Sequence, residues 1–178
     1  MSRVELVPLR DADVERLARA REAEAGSMGF PDAFGPAELA ELRERVSRSG
    51  EFDGTELLLG IRSDGRLVGE VQARQPRMGL PPGVFELGID VFEATDRGRG
   101  LGTEALTLLL ARLFDRERAH RVQATTDVDN VAMRRVCERT GFAFEGVLRS
   151  FMPTANGPRD YAMYAITKDG YEGTRPWT

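Results

Sequence analysis

The segment Arg97-Gly98-Arg99-Gly100-Leu101-Gly102-Thr103 constrains this 178-residue chain more strongly than any other. It stands between residues 84–92, whose apolar residues alternate as in a central strand, and the strongly apolar residues 101–114, which predict a buried helix. Glycines at such a turn let main-chain N–H groups converge, and the positive end of the helix dipole adds to them. The segment therefore predicts a pyrophosphate site, although short glycine patterns also occur in turns that bind nothing.

The rest of the chain alternates between strand and helix patterns. An Asp-Gly pair within residues 63–66 predicts a hairpin. Pro36 suits the first position of a second helix. The further elements are strands at 4–9, 55–62, 67–75, 121–126, 142–150 and 159–166, a first helix after residue 10, and a helix at 130–140. The order β-α-α-β-β-β-α-β-α-β-β predicts an α/β fold, a mixed sheet flanked by helices, in a single domain over residues 1–178.

Composition limits the chemistry. The net charge of −4 disfavours nucleic-acid binding, and no segment approaches the roughly 20 apolar residues of a membrane span. His120 is the only histidine, so we expect no metal site. Cys137 is the only cysteine and cannot form an internal disulfide, and we expect a reducing, cytoplasmic location without a secretory signal.

Two nucleotide-binding patterns compete for the glycine segment. A P-loop requires Lys and Ser or Thr after its last glycine, but Gly102 is followed by Thr103 and Glu104. Residues 100–105 do satisfy the relaxed dinucleotide pattern G-x-G-x-x-A, with Asp127 or Asp129 as a ribose ligand. A dinucleotide fold requires further parallel βαβ units, however, and only strand patterns follow residue 142.

Two segments resemble the GCN5-related N-acetyltransferases, the GNAT family. The pattern Arg97-x-x-Gly100-x-Gly102 is similar to the family's pyrophosphate loop, Q/R-x-x-G-x-G/A. Residues 130–142, beginning with Asn and ending with Gly-Phe, resemble a helix of its ribosomal-protein N-terminal acetyltransferase branch (RimJ/RimL-like). The resemblance implies a mostly antiparallel GNAT sheet and acetyl-CoA as co-substrate. It covers most of the chain but is weak before residue 55.

The resemblance also assigns cofactor-binding residues. It implies that Arg97, Gly98, Arg99, Gly100, Leu101, Gly102 and Thr103 hold the CoA pyrophosphate, largely through main-chain donors. It implies that the pantetheine arm pairs with a freed strand edge at Ile89, Asp90 and Val91, and that a main-chain N–H there meets the oxyanion. Asn130 would hydrogen-bond the same arm, although Asn is also an ordinary helix N-cap.

Acetyl transfer requires a neutral amine, whereas an alkylammonium with a pKa near ~10 is mostly protonated at pH 7. Glu86, on the central strand, is the candidate for taking its proton, directly or through a water. Glu86 could instead pair with one of the many arginines, and Asp90 or Glu70 could replace it.

The proton donor to the CoA thiolate is less well defined. Cys137 stands where the family often has Tyr, and Met133 where relatives in the branch have Ser. Cys137 is therefore a candidate catalytic residue, although a lone cysteine on the apolar side of a helix is more often packing.

The sequence predicts an acetyl-CoA-dependent N-acetyltransferase that acts on a protein N-terminus or on a small amine, such as an amino acid or antibiotic. A non-catalytic acyl-CoA-binding or partner-binding module of the same fold is the alternative. Tyr171 and Trp177 are candidates for an amine pocket or a homodimer surface. The acceptor amine is not predictable from the sequence.

Overall fold

The computed structural model describes residues 3–30, 34–75 and 79–174. These residues form seven strands and five α-helices, with a short 3-10 helix at Asp11–Asp13 and a π-helical turn at Arg112–Arg116. The strands are β1 (Glu5–Val7), β2 (Glu56–Ser63), β3 (Arg66–Arg74), β4 (Val84–Val91), β5 (Arg121–Asp127), β6 (Ala143–Met152) and β7 (Arg159–Thr167). The helices are α1 (Val14–Ser27), α2 (Pro36–Ser47), α3 (Leu101–Ala111), α4 (Val131–Arg139) and α5 (Lys168–Thr174).

The strands form one sheet in the order β1-β2-β3-β4-β5-β7-β6. Only β4 and β5 run parallel; every other neighbouring pair is antiparallel. The predicted mixed, mostly antiparallel sheet with flanking helices is therefore confirmed. The parallel pair requires a crossover, which α3 provides between the end of β4 and the start of β5.

The helices cover the two faces of the sheet. On one face, α3 places Leu106, Leu109 and Leu110 in the main core, each at most 1% exposed. On the other face, α1 and α2 contribute Leu17 and Leu42 to a smaller core. Each helix buries its apolar side against the sheet. Arginines of α1 and α2 next to those buried sides can still reach polar groups on the sheet.

The described residues end in an element that the sequence pattern did not predict. The last predicted element is the strand at 159–166, but the structure has a further helix, α5, which begins at Lys168. Tyr171 stacks on Phe114 at 4.6 Å between ring centroids, and this tertiary contact supports a helix that Gly170 and Gly173 would otherwise disfavour. Tyr171 is thus a core residue and not a pocket or dimer residue, while Trp177 lies outside the described residues.

Candidate functional site

Strands β4 and β5 separate in the middle of the sheet. Their parallel pairing ends at Glu86 and Gln123, whereas β4 stays paired with β3 as far as Val91. The carboxyl-terminal half of β4 therefore has a strand partner on one side only. A parallel pair that opens in this way leaves a strand edge against which an extended ligand can pair.

The main-chain directions along β4 show which residues face this opening. Phe92 N donates to Val68 O on β3 at 3.0 Å, so by alternation the main-chain groups of Ile89 and Val91 point away from β3. Arg97 Nε donates to Val91 O at 2.8 Å, which ties the following loop to the end of the strand. No strand in the described part of the chain pairs with Ile89 on its open side. The edge predicted for the pantetheine arm is therefore accessible at Ile89.

The glycine loop leads from the opening into α3. Gly98 and Gly100 have φ angles of +74° and +87°, a region that L side chains rarely adopt. Gly102 lies in the first turn of α3, where a Cβ atom would be 3.8 Å from the Ile89 side chain. The N–H groups of this first turn have no intrahelical partners. They lie beside the strand edge, in the arrangement expected of a pyrophosphate site at the end of an extended arm.

Side chains anchor the loop from two directions. Asp96 is 3% exposed and accepts hydrogen bonds from Arg66 at 3.2 Å and Arg99 at 3.0 Å. At the start of α3, Arg3 Nε donates to Glu104 at 2.7 Å. Arg99, like Arg97, is thus engaged in holding the loop, and any phosphate contact from either guanidinium would come in addition to these bonds.

Asn130 combines two roles that the sequence left open. Its Oδ1 accepts a hydrogen bond from Met133 N at 3.1 Å, so it is the N-cap of α4. Within residues 3–30, 34–75 and 79–174, the structure shows no hydrogen-bond partner for its Nδ2. The side chain is exposed, so this amide can still donate to a ligand.

Cys137 lies inside the main core and is 0% exposed. Burial raises the pKa of its thiol to about 12. A thiol without solvent contact and with so high a pKa is a poor proton donor to a departing thiolate. The geometry therefore favours packing, the alternative that the sequence left open for this residue.

The opposite face of β3 and β4, beneath α1 and α2, carries charged side chains in register. Glu86 lies across from Arg74 and Asp90 across from Glu70, with Gly88 between the two rows. Glu86 is 35% exposed in its side chain and lies 3.6 Å from Arg74 Nη2. The arginine pairing that the sequence could not exclude is present, and it leaves the Glu86 carboxylate partly open to solvent.

The second row differs in burial between its two residues, because the Asp90 side chain is 42% exposed whereas Glu70 is buried. Glu70 is 8% exposed, and its Oε1 accepts a hydrogen bond from Arg21 of α1 at 2.7 Å. Burial raises the pKa of Glu70, and Arg21 and Arg45 offset part of that effect. Burial likewise raises the pKa of Asp90, against the opposing charges of Arg97 and Arg21. Two carboxyl groups that ionise less readily than usual therefore lie side by side at the open end of β4.

A cavity of about 280 Å³ lies where β5 ends, between α1 and the loop that joins β6 to β7. Met28, Asp127, Arg159 and Tyr161 are among its lining residues. Asp127 lies 2.9 Å from Arg159 Nε, and burial raises the pKa of Tyr161, with the negative charge of Asp127 adding to the effect. Sequence reasoning considered Asp127 only as a ribose ligand. It missed the cavity because the lining residues come from segments more than 120 positions apart.

Two classes of feature have no counterpart in the described parts of the chain. No group of three or more His, Cys, Asp and Glu residues there is arranged to hold a metal ion. None of the helices in those ranges is long and apolar enough to cross a membrane.

Known proteins match this arrangement. Residues 3–143 match the family model described as an acetyltransferase (GNAT) domain. A probable N-acetyltransferase, YjcK of Bacillus subtilis (strain 168), is 30% identical over 130 residues, 72% of this chain and 68% of that protein. A kanamycin resistance protein of Rhizobium radiobacter is 29% identical over 94 residues, 53% of this chain and 82% of that protein.

A solved structure extends the match. Mycobacterium smegmatis RimJ, in complex with CoA-disulfide, superposes with a TM-score of 0.75 at 25% identity, covering 93% of this chain and 82% of that chain.

Proposed function

The chain belongs to the GNAT family of acetyltransferases, and we propose that it is an N-acetyltransferase that moves the acetyl group of acetyl-CoA to a primary amine. The observation that most strongly supports this proposal is the opening between β4 and β5, which is followed directly by the glycine loop at the start of α3. The resemblance seen in the sequence is confirmed by the family model and by RimJ, and acetyl-CoA is the family's co-substrate.

The residues of the opening fit this co-substrate. The edge at Ile89 suits pairing with the amide groups of the pantetheine arm, and the first turn of α3 suits the pyrophosphate. Gly102 leaves room beside Ile89 that a larger side chain would fill. Asn130 supplies a donor from the start of α4. The acetyl thioester supplies the electrophile, and this chain's part is to hold it at the open end of β4.

The acceptor amine approaches from the charged face of β4, and Glu86 takes the proton that the ammonium must lose. Support comes from its place on that face and its partial exposure, which lets a proton pass to solvent. The acceptor is a protein N-terminus or a small amine. The cavity at Asp127 and Tyr161 is the candidate site for the rest of that molecule.

Other expectations stay predictions: a single domain over residues 1–178, a cytoplasmic location and a homodimer. The cytoplasmic location depends on the lone cysteine Cys137, which the structure buries.

A second candidate is a non-catalytic module that binds acyl-CoA or a partner. One observation favours it: no acid is present at either family position, because Cys137 is buried and Met133 cannot donate a proton. Turnover separates the two candidates, since a module binds acetyl-CoA but releases no CoA thiol in the presence of an amine.

The first experiment is a calorimetric titration of the protein with acetyl-CoA, with NADH in a parallel titration. We expect micromolar binding of acetyl-CoA and no heat from NADH. Thiol release is then followed with three acceptors, namely kanamycin, spermidine and a synthetic peptide that begins with Ser-Ala. Absence of acetyl-CoA binding would reduce the glycine loop to a structural turn and remove the proposal.

A further inference from the structure

Acetyl transfer to an ammonium group removes two protons from the same nitrogen. The first leaves before attack, because the lone pair must be free to form the C–N bond. The second leaves after attack, when the nitrogen is again positively charged. The C–S bond then breaks, and the CoA thiolate takes up one proton. One proton is released to solvent in each turnover. Glu86 accounts for the first proton, but so far no residue accounts for the second or for the proton of the thiolate.

The pair formed by Glu70 and Asp90 lies where the second proton is released. The two residues are directly opposite each other on β3 and β4, on the same sheet face as Glu86. The Asp90 side chain is 42% exposed and lies 3.8 Å from Arg97 Nη2 of the loop that follows β4. Because Asp90 stands beyond the point where β4 and β5 separate, this carboxyl lies at the open end of β4, near the strand edge that is proposed to hold the thioester. Glu86 lies four residues earlier, at the point where β4 and β5 begin to separate.

Glu70 has a feature that an ordinary ion pair lacks. One oxygen is bound by Arg21, but Oε2 is buried and has no hydrogen-bond partner among the described residues. A buried carboxylate oxygen without a donor is costly, and the cost disappears when the pair carries a proton. The pair is therefore built to exist in a protonated form during part of the cycle.

The charges around the pair keep that proton exchangeable. Positive groups reach it from three directions and oppose the effect of burial, so neither carboxyl is locked in its neutral form. The charged groups that face the pair are Arg21 on α1, Arg45 on α2 and Arg97 in the loop after β4. The two carboxyls stand on directly paired positions, and the negative charge of Asp90 adds to the raised pKa of Glu70, so a proton on one favours ionisation of the other.

We infer that Asp90 and Glu70 act together as a proton carrier, which takes the second proton from the attacking nitrogen and returns it to the CoA thiolate. The inference rests on the proposed function. Asp90 is the catalytic residue of the pair, because it lies on β4, the strand whose free edge is proposed to hold the thioester. Glu70 is a positioning residue that acts through Asp90. The carrier replaces the proton donor that the family usually places on α4, where this chain has the buried Cys137.

The test compares pH profiles of thiol release for Glu70→Gln, Asp90→Asn and Glu86→Gln, with whichever of kanamycin, spermidine or the Ser-Ala peptide the wild type acetylates fastest. Asp90→Asn should lower kcat roughly 100-fold, and equally at pH 7 and pH 9, because its proton leaves only after attack. The loss in Glu86→Gln should shrink as the pH rises toward the amine's own pKa of about 10.

Glu70→Gln provides the decisive measurement. Glutamine can still accept the hydrogen bond from Arg21, so the fold is retained, but the negative charge beside Asp90 is lost. Asp90 then no longer stands opposite a second carboxyl on the paired strand, and the low-pH limb of kcat should move to lower pH by roughly half a pH unit or more. Glu117→Gln is the matched control, because that carboxylate is 15% exposed and bound by Arg112 at 2.7 Å, yet lies away from β4. Its profile should equal that of the wild type.

Two results would overturn the inference while leaving the proposed function intact. One is a pH profile of Glu70→Gln in which the low-pH limb of kcat lies at the same pH as in the wild type. The other is a kcat of Asp90→Asn that reaches the wild-type value at pH 9. Acetyl-CoA affinity, measured by calorimetry, should stay within roughly twofold of wild type in all variants, since the substitutions change side chains whereas the pantetheine arm is expected to pair with the main chain of β4. If the wild type itself releases no thiol with any of the three acceptors, the proposed function fails and the inference fails with it.

Discussion

The glycine loop and the charged face of β4 meet at the same end of one strand, but the loop offers main-chain groups and the charged face offers side chains. The loop is made of consecutive residues whose main chain does the work, with Gly98 and Gly100 at positive φ. The charged face is made of side chains that come together from α1, β3 and β4, among them Arg21, Glu70 and Asp90.

This difference separates the two substrates. A site made from main-chain N–H groups recognises a pyrophosphate regardless of most side chains around it, so one motif can serve many relatives. A site made from side chains changes with every substitution on three elements. Under the proposed function, the shared co-substrate is bound by the part of the molecule that changes least easily, and the acceptor by the part that changes most easily.

The largest expected effect is on the binding of acetyl-CoA by the glycine loop. Gly100→Glu should weaken acetyl-CoA binding roughly 1,000-fold, because it places a side chain at φ +87° and a negative charge at the anion site. Calorimetry measures the affinity. Gly54→Glu is the matched control, since Gly54 has a φ of +91° with open space around it and lies far from the loop. Equal affinities in the two variants would show that the loop does not bind CoA.

The next effect concerns the charged face. Glu86→Gln should lower kcat roughly 100-fold at pH 7 while leaving the acetyl-CoA affinity unchanged, since the carboxylate removes a proton and does not hold the co-substrate. Stopped assays of thiol release, together with calorimetry, give both quantities. Unchanged turnover would remove Glu86 from the mechanism. Asp90 and Glu70 would then be the remaining candidates for taking the proton from the ammonium.

A smaller effect tests whether the loop depends on side chains at all. Asp96→Asn should weaken acetyl-CoA binding roughly tenfold, because the loop loses two charge-assisted hydrogen bonds, from Arg66 and Arg99. Asp64→Asn, an equal change of charge in the exposed turn before Arg66, is the control. Wild-type affinity in Asp96→Asn would mean that the glycines alone determine the shape of the loop.

The smallest effect on activity is expected at a residue that belongs to neither region. Cys137→Ala should leave kcat within roughly twofold of wild type and lower the free energy of unfolding by about 1 kcal/mol, because the thiol fills space in the core. Denaturant unfolding measures the second quantity. A large loss of kcat at unchanged stability would instead identify Cys137 as the acid.

The glycine loop could be predicted from the sequence because its residues are contiguous and its glycines form a recognisable pattern. The sheet was readable for the same reason, since each strand and most helices have their own local pattern. Asp96, Arg21 and the cavity around Asp127 could not be predicted, because each depends on a partner distant in sequence: Arg66 is 30 positions from Asp96, and Glu70 is 49 positions from Arg21. The helix α5 was missed because its stability comes from Tyr171 packing on Phe114, which no local pattern contains.

The separation of β4 from β5 has a consequence for the stability of the whole sheet. A sheet with a gap in its centre lacks part of one row of main-chain hydrogen bonds, and under the proposed function the pantetheine arm supplies bonds at that place. Folding and binding are then linked by mass action, so acetyl-CoA at 100 times its Kd should raise the free energy of unfolding by about 2.7 kcal/mol. In the cell, the abundance of the folded protein would follow the supply of activated acetyl groups.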